Sequence, residues 1–482
     1  MGAIARIPRT RNVVVCGASY AGARAAELLS RTLPPTHRVV VIDRQSHFNH
    51  LYLHPRVSVV PGHTEKVFIP YSGVLPADSA PPSVPLATSP ASPSRPRARH
   101  VVVHASIVSL TDDYVELDRD LLEHERDIEG DEIEVEKLAE ELEEARLEER
   151  QAKVPTGRRL SWDYLVYALG CTLPPPLVSL ARTKKTGVAF LEAQQSLIAS
   201  SSSILIAGGG ALGLQYATDI CDLYNNPANE HHLPESCRPA KKKRVTLVHS
   251  RDRFLPLYKQ EVHDEVMRRL EELGVDVVLG ERLQLPNGEQ DEPGVMKKVK
   301  TSSGKEIEYD LLLRCTGQKP NSQLMRDFLP EALDDYGYIN VRPTLQIDLS
   351  KVPSERLSEK IQRNVYAIGD VAAAGVIKAG HTGWNQAGVV TQNIMCSVET
   401  DLLNAACDES IECSKCEAEL VDYEKSVPQI KVTLGLHHSV SELLPSMDAK
   451  DTVVTKADNG QIDGHYAVVW NRMGVDASDT SI

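Results

Sequence analysis

The stretch Val13–Gly22, VVVCGASYAG, decides how the rest of the chain is read. Four apolar residues, Val13 to Cys16, run into a glycine-rich turn, and the small and apolar residues ARAAELLSRT follow. An apolar run of this length bounded by glycine reads as a buried strand, and the small-residue segment as a helix packed close upon it. A second apolar run, Val39 to Ile42, ends on Asp43, about 20 residues after Gly22. Strand, turn, helix and strand with a terminal acid form the pattern that cradles a dinucleotide pyrophosphate on a helix N-terminus. Gly17 then makes the tight turn, Gly22 lets the helix approach the strand, and Asp43, with Arg44 beside it, stands where ribose hydroxyls are expected. The middle glycine of the pattern is replaced by Ser19, so this turn alone leaves open whether a cofactor binds, and which one.

The pattern recurs in full. In SSILIAGGGALGLQYATDI the apolar run Ile204–Ala207 leads into Gly208, Gly210 and Gly213. Its second strand, RVTLVHS, follows only after an insertion and ends on His249 rather than on an acid, with Ser250 and Arg251 next. Two such turns, about 190 residues apart, call for two dinucleotides, one of which can be a flavin. Two further segments share a design: an acid, an apolar strand, then a small-x-Gly stop. They are DYLVYALGC, with Ala168 and Gly170, and DLLLRCTGQKPNS, with Thr316 and Gly317. In NVYAIGDVAAAGVIKAGHTGWNQAG, Gly369-Asp370 closes a strand before another small-residue helix. An aspartate there can accept from the ribityl hydroxyls of FAD, and the following helix N-terminus favours the negative charge of a reduced flavin.

This order resembles the two-dinucleotide-binding flavoproteins of the pyridine nucleotide–disulfide oxidoreductase superfamily, over roughly residues 10–400. SHFNHLYLHPR (Ser46–Arg56), GHTEKVFIPY (Gly62–Tyr71), KVTLG (Lys431–Gly435) and the tail WNRMG (Trp470–Gly474) resemble its apoptosis-inducing-factor-like branch, with ferroptosis-suppressor-like members and fungal relatives. The resemblance implies an α/β fold: two Rossmann-like, glutathione-reductase-like dinucleotide-binding domains plus a small C-terminal α+β domain. It implies an FAD-binding domain from residues 10–180 and 345–395, an NAD(P)H-binding domain at 181–344, and an interface-type domain at 396–482. It also implies FAD, with NADPH or NADH, as cofactors, and adds Arg56 and Lys66 near the flavin.

Bulk composition narrows the function class. The net charge of −14 is concentrated: Asp120–Arg150 alone carries −11, so the acidity belongs to one insertion, and no nucleic-acid partner is expected. No run of 18 apolar residues occurs, so no transmembrane segment is expected, although peripheral contact with a mitochondrial or lipid-droplet surface stays open. The nine cysteines are scattered and no secretory leader is expected from the first dozen residues, so reduced thiols and a cytoplasmic protein are expected. Two insertions stand out: the Pro/Ser/Ala-rich Pro76–Arg99, expected to be flexible, and Glu132–Arg150, expected to be a solvated helix within an acidic arm.

Hydride transfer from NAD(P)H to flavin N5 leaves the final acceptor as the open question. No cysteine follows the first turn's second strand, and the CxxC at Cys413–Cys416 lies in a polar acidic segment; neither a dithiol relay nor a metal site is expected. A quinone-like molecule or dioxygen is the expected acceptor. Lys378, His381, Trp384 and Gln386 are the candidates for shaping the flavin face. Gln215, two residues past Gly213, stands where many relatives carry glutamate, and can bond a carboxamide without acting as a base. His249 neither accepts from both ribose hydroxyls nor repels a phosphate, while Ser250, Arg251 and Arg253 can bind one; NADPH is therefore expected to serve at least as well as NADH. A slow redox-sensing signalling protein, or a flavoenzyme of specialised metabolism, are the other function classes compatible with the chain. The sequence leaves the oligomeric state open.

Overall fold

The computed structural model describes residues 10–75, 100–126, 156–239, 241–285, 294–406, 416–446 and 448–482. The expected flexible insertion, the acidic helix of residues 132–150, Cys407 and Cys413 lie outside them. The chain divides into two units of interleaved segments. The first takes Met1–Arg44, Ser72–Gly170 and Pro320–Lys425; the second takes Gln45–Tyr71, Cys171–Lys319 and Ser426–Ile482.

The first unit is built on a parallel five-stranded sheet, ordered Val365–Ala367, Tyr164–Tyr167, Arg11–Cys16, His37–Asp43 and Val101–His104. Strands Arg11–Cys16 and His37–Asp43 are buried almost throughout, as continuous apolar runs require when both sheet faces are covered. Strand Arg11–Cys16 lies between neighbours reached in opposite directions, so its C-terminal end is the topological switch point, and the Gly17 turn opens there. The second unit repeats this with a parallel four-stranded sheet, ordered Asp276–Val278, Arg244–Val248, Ser203–Ala207 and Leu311–Arg314, in which Ser203–Ala207 occupies the switch position.

The acid that opens each of the two similar strand segments has the same task in both units. Asp163 accepts the Asn12 N–H at 2.8 Å, and Asp310 accepts the N–H groups of Ser202 and Ser203 at 2.8 and 2.9 Å. Each carboxylate satisfies backbone donors at the start of the strand that carries a glycine turn at its other end.

Residues 396–482, read from the sequence as one small domain, are divided in the structure. Helix Gly380–Ala406 belongs to the first unit, whereas the antiparallel sheet Ile430–Thr433, Ser439–Leu443, Val453–Ala457 belongs to the second. The reason is burial: Val432, Leu434, Leu436 and Val440 share one core with Val245, Leu247 and Leu214.

An ionic clamp anchors that segment. Arg56, 4% exposed, makes a bidentate pair with the fully buried Asp219 at 2.7 and 3.0 Å. Its remaining donors reach the carbonyls of Gly435 (2.8 Å) and Leu436 (3.1 Å), with Gln461 and Ile462 at 3.3 and 3.4 Å. Asp222 accepts the Leu436 N–H at 2.8 Å, and Arg269 donates to the Leu434 carbonyl at 3.0 Å. Gly435 has φ +99°, and a Cβ there would stand 2.5 Å from Asp222 Oδ2, so only glycine fits. Removing one partner of a buried pair strands the other charge at a cost of about 3–5 kcal/mol. Asp219→Ala is therefore expected to lower stability by about that amount in denaturant unfolding, whereas Glu359→Ala, in an exposed helical pair, changes it little.

Candidate functional site

In the first unit, Gly17 has φ +97°, and a Cβ on it would lie 2.7 Å from the Ala168 carbonyl oxygen. A Cβ on Gly22 would fall 1.8 Å from the Gly17 carbonyl oxygen, so the helix Tyr20–Thr32 seats directly on the strand end because Gly22 has no side chain. Ser19 is the helix N-cap residue, exposed, and its hydroxyl caps no backbone group. Asp43 Oδ2 accepts the Ala18 N–H at 2.7 Å, which ties the second strand's end to the turn. Arg44 is exposed, and its carbonyl is bonded by His104. Gly170 has φ +61° with open space around it.

The Gly369-Asp370 turn meets this turn through Ala21. A Cβ on Gly369 (φ +74°) would lie 3.2 Å from Ala21 Cβ, and one on Gly383 would lie 2.9 Å from it. The first turn of the 27-residue helix Gly380–Ala406 is thus brought beside the first turn of helix Tyr20–Thr32. Two helix N-termini and the half-buried Asp370 converge. Burial raises the Asp370 pKa, which nearby Lys378 partly counters. The residues fit FAD: backbone donors and dipole for a pyrophosphate, and aspartates for ribose and ribityl hydroxyls.

Of the four residues read as shaping the flavin face, Gln386, Lys378 and Trp384 have other visible partners. Gln386 is buried, and its Oε1 accepts the Gly369 N–H at 2.7 Å, so it fixes the turn that carries Asp370. Lys378 donates to the Ala372 carbonyl and sits 4.5 Å from the centroid of the Tyr338 ring. Trp384 is stacked by the Arg24 guanidinium at 4.6 Å. His381 is exposed in the helix's first turn. In the second unit, Arg56 is consumed by the clamp, and Lys66 bonds His63 Nδ1 (2.8 Å) and covers the Tyr466 ring.

The second unit's turn copies the first. Gly208 has φ +112°, with a virtual Cβ 2.5 Å from both the Cys315 carbonyl oxygen and Thr316 Cγ2; a Cβ on Gly213 would lie 1.9 Å from the Gly208 carbonyl oxygen. A Cβ on Gly210 meets nothing within 4 Å. The middle position therefore faces open space in both units, which is why the fold accepts serine at 19 and glycine at 210. Thr316 and Gly317 (φ +89°) are exposed beside the turn.

The two turns part at the strand end. Where Asp43 accepts the Ala18 N–H, His249 Nδ1 accepts the Gly209 N–H at 3.2 Å. His249 is buried and stacked on Phe254, ring centroids 5.3 Å apart; desolvation, then Arg251, lower its pKa and keep it neutral. A neutral imidazole has one acceptor nitrogen, and here it is used. Gly209 and Phe254 went unnoticed in the sequence: a Cβ on Gly209 would lie 2.3 Å from Phe254, so the middle of GGG makes room for the stack. Ser250 and Arg251 are exposed, whereas Arg253 is turned to the Tyr258 carbonyl and is not presented outward. Burial pushes the Cys16 thiol, which precedes the first turn, up to about 12 and keeps it protonated. Among the described residues no group of His, Cys, Asp or Glu is placed to hold a metal ion, and no helix is long and apolar enough to cross a membrane.

The family model described as pyridine nucleotide-disulphide oxidoreductase matches residues 11–389, and the chain belongs to that family. Fe-regulated protein 8 of Mycosarcoma maydis is 34% identical over 479 residues, covering 97% of this chain and 96% of that protein. Human ferroptosis suppressor protein 1 is 28% identical over 269 residues, 54% of this chain and 63% of that protein. The sulfide:quinone oxidoreductase structure from Aquifex aeolicus shares the fold, with a TM-score of 0.59 at 12% identity over 96% of this chain and 90% of that one. The protein is thus an oxidoreductase of the apoptosis-inducing-factor-like branch, and its family uses FAD and NAD(P)H.

Because position 19 opens outward, its side chain is expected to act on the cofactor rather than on the fold. Ser19→Leu is expected to purify with substoichiometric FAD at an unchanged melting temperature of the apoprotein, and Ser19→Gly to stay fully loaded; absorbance at the flavin band relative to protein measures both.

Proposed function

We propose that this flavoprotein oxidoreductase accepts NADPH at least as readily as NADH and delivers the electrons to a quinone-like small acceptor without a dithiol relay. The observation that carries the coenzyme half is the exchange of Asp43 for His249 at equivalent strand ends. A carboxylate there would accept from both ribose hydroxyls and repel a 2′-phosphate. His249 does neither, because its acceptor nitrogen is committed to Gly209, and Ser250 and Arg251 stand exposed beside it. Arg251 then offers a 2′-phosphate a charge-assisted hydrogen bond.

When bound, FAD supplies two-electron acceptance from the nicotinamide hydride and onward delivery in one- or two-electron steps. The chain's own contribution is positional. Gly17, Ser19 and Gly22 would hold the flavin nucleotide's pyrophosphate on helix Tyr20–Thr32, and Asp43 would take its ribose. Gln386, through the Gly369 N–H, fixes the turn of Asp370, which would take the ribityl chain, and the N-terminus of helix Gly380–Ala406 would stabilise negative charge on the flavin. The absence of any cysteine between Gly17 and Gly170, together with the protonated state of Cys16, supports direct transfer to a small acceptor.

The test is an absorption spectrum of the purified protein, followed by anaerobic NADPH and then a soluble quinone. Flavin bands that bleach with NADPH and return on quinone addition are expected; no flavin bands after FAD is supplied, or reduced flavin that quinone leaves untouched, overturns the proposal. His249→Asp is expected to move the NADPH-to-NADH ratio of kcat/KM about tenfold toward NADH, the effect of one hydrogen bond and one repulsion. An unchanged ratio contradicts the coenzyme assignment.

A further inference from the structure

Three rings stand in a row between the second unit's glycine turn and helix Gln260–Glu272. His249 and Phe254 are stacked with centroids 5.3 Å apart and planes at 24°, and Phe254 meets His263 at 5.9 Å and 40°. Hydrogen bonds tie both ends of the row to backbone. His249 Nδ1 accepts the Gly209 N–H at 3.2 Å, and His263 Nδ1 accepts the Phe254 N–H at 3.1 Å. The Phe254 ring is fully buried against Gly209, where even a Cβ would stand 2.3 Å from it. His249 therefore keeps its place only as long as Phe254 keeps its own.

What holds Phe254 is the helix. Leu255, next in the chain, sits in the left-handed region at φ +48°, a costly conformation for a bulky residue that the contacts around it must hold. The turn is closed by the Phe254 N–H on His263 and by the Tyr258 N–H on the Leu255 carbonyl at 3.0 Å. The helix that supplies His263 is itself seated by the C-terminal sheet. Glu442 of that sheet accepts the Lys259 N–H at 2.7 Å, much as its Thr433 hydroxyl takes Gln215 Nε2 at 2.9 Å on helix Ala211–Tyr224.

An imidazole nitrogen accepts a hydrogen bond only while it carries no proton. His263 is half-buried, so protons from solvent reach it. Desolvation lowers its pKa; Asp264 opposes the fall and Arg253, from the turn, adds to it. Its place in the first turn of the helix also disfavours a cation. The charged groups on the other elements packed on this helix are turned elsewhere: Glu442 to Lys259 and the Thr452 hydroxyl, Asp222 to the Leu436 N–H and Arg269. Asp276 follows the far end of the helix. The closed turn thus binds fewer protons than an opened one, so its bond is intact above the ordinary histidine value of 6.5 and is lost as pH falls below it.

We propose that His263 is a positioning residue for coenzyme binding: neutral, it holds Phe254 and through it the His249 ring at the Gly208–Gly210 turn, and protonated, it releases them, so that acid weakens the site. This rests on the coenzyme assignment proposed above and adds to it a proton-sensitive control that never touches the ligand.

The test is the Kd of ADP-ribose on FAD-loaded protein between about pH 5.5 and about pH 7.5. This probe neither reduces the flavin nor carries a group that titrates in that range. Wild-type binding is expected to weaken about fivefold from the top of the range to the bottom. His263→Asn places an amide oxygen where Nδ1 stands, which accepts the same N–H and does not titrate; it is expected to match wild type at the top of the range and to stay level. His263→Leu, with no acceptor, is expected to bind about fivefold more weakly throughout. A flat wild-type profile overturns the proposal. So does a His263→Asn profile that keeps the wild-type slope, which would move the titration to His249. If His263→Leu is poorly folded, the His263→Asn profile decides alone. Wild-type protein that binds neither ADP-ribose nor NADPH at the top of the range overturns the coenzyme site itself, and this proposal with it.

Discussion

The most demanding contact in the molecule is between two glycines. With a virtual Cβ only 1.8 Å from the Gly17 carbonyl oxygen at Gly22, and 1.9 Å from the Gly208 carbonyl oxygen at Gly213, helix and strand end are closer than any side chain permits. This proximity aims each helix's first-turn N–H groups and dipole at the space above the turn, an arrangement that favours negative charge there. The rest of each unit serves to hold the pair. Asp163 and Asp310 anchor the far ends of the same strands, and the parallel neighbours cover both edges. Around the first turn, Ala21, Gly369 and Gly383 keep to small or absent side chains so that a second helix N-terminus joins the site.

Two copies of one frame acquire different chemistry from a single position. At the second strand's end the backbone problem is the same in both units: an N–H just after the first glycine needs an acceptor. Asp43 answers with a charged group that has lone pairs facing more than one direction; His249 answers with a neutral ring and one lone pair. The neutral answer is stabilised by burial and by the Phe254 stack, which in turn requires Gly209. In the coenzyme assignment proposed above, selectivity among nucleotides follows from how a structural hydrogen bond is satisfied.

Much of this was legible because it depends on excluded volume and local order. The turn glycines, Asp43, the paired acid–strand segments and Gly369-Asp370 are sequence-near features, and the family resemblance they carried agrees with the match over residues 11–389. What escaped was tertiary and directional. Arg56 reads as a cation beside a cofactor, yet its partners are Asp219 and four backbone carbonyls from residues 435–462, and carbonyls leave no signature in a sequence. Gln386 and Lys378 lie in the expected segment, but their bonds to the Gly369 N–H and the Ala372 carbonyl depend on rotamers that spacing does not specify. The split of residues 396–482 followed from which core Val432 and Leu434 entered. The stripe Gln215, Asp219, Asp222 was visible as helical spacing and could have signalled that something polar lies along that face.

The clamp also constrains the order in which the chain can become itself. Arg56 emerges early in synthesis, whereas the carbonyls it must satisfy lie 379 to 406 residues later. Until residues 435–462 exist, its guanidinium has only Asp219 to meet, and the Ala211–Tyr224 helix has a polar stripe with no cover. Contacts of such sequence separation form late because the loop they close is long. The second unit therefore completes its ionic clamp and core only once residues 430–462 are present. A chain cut short before residue 435 would leave both units' fingerprints intact in sequence and one of them without the segment that closes its core.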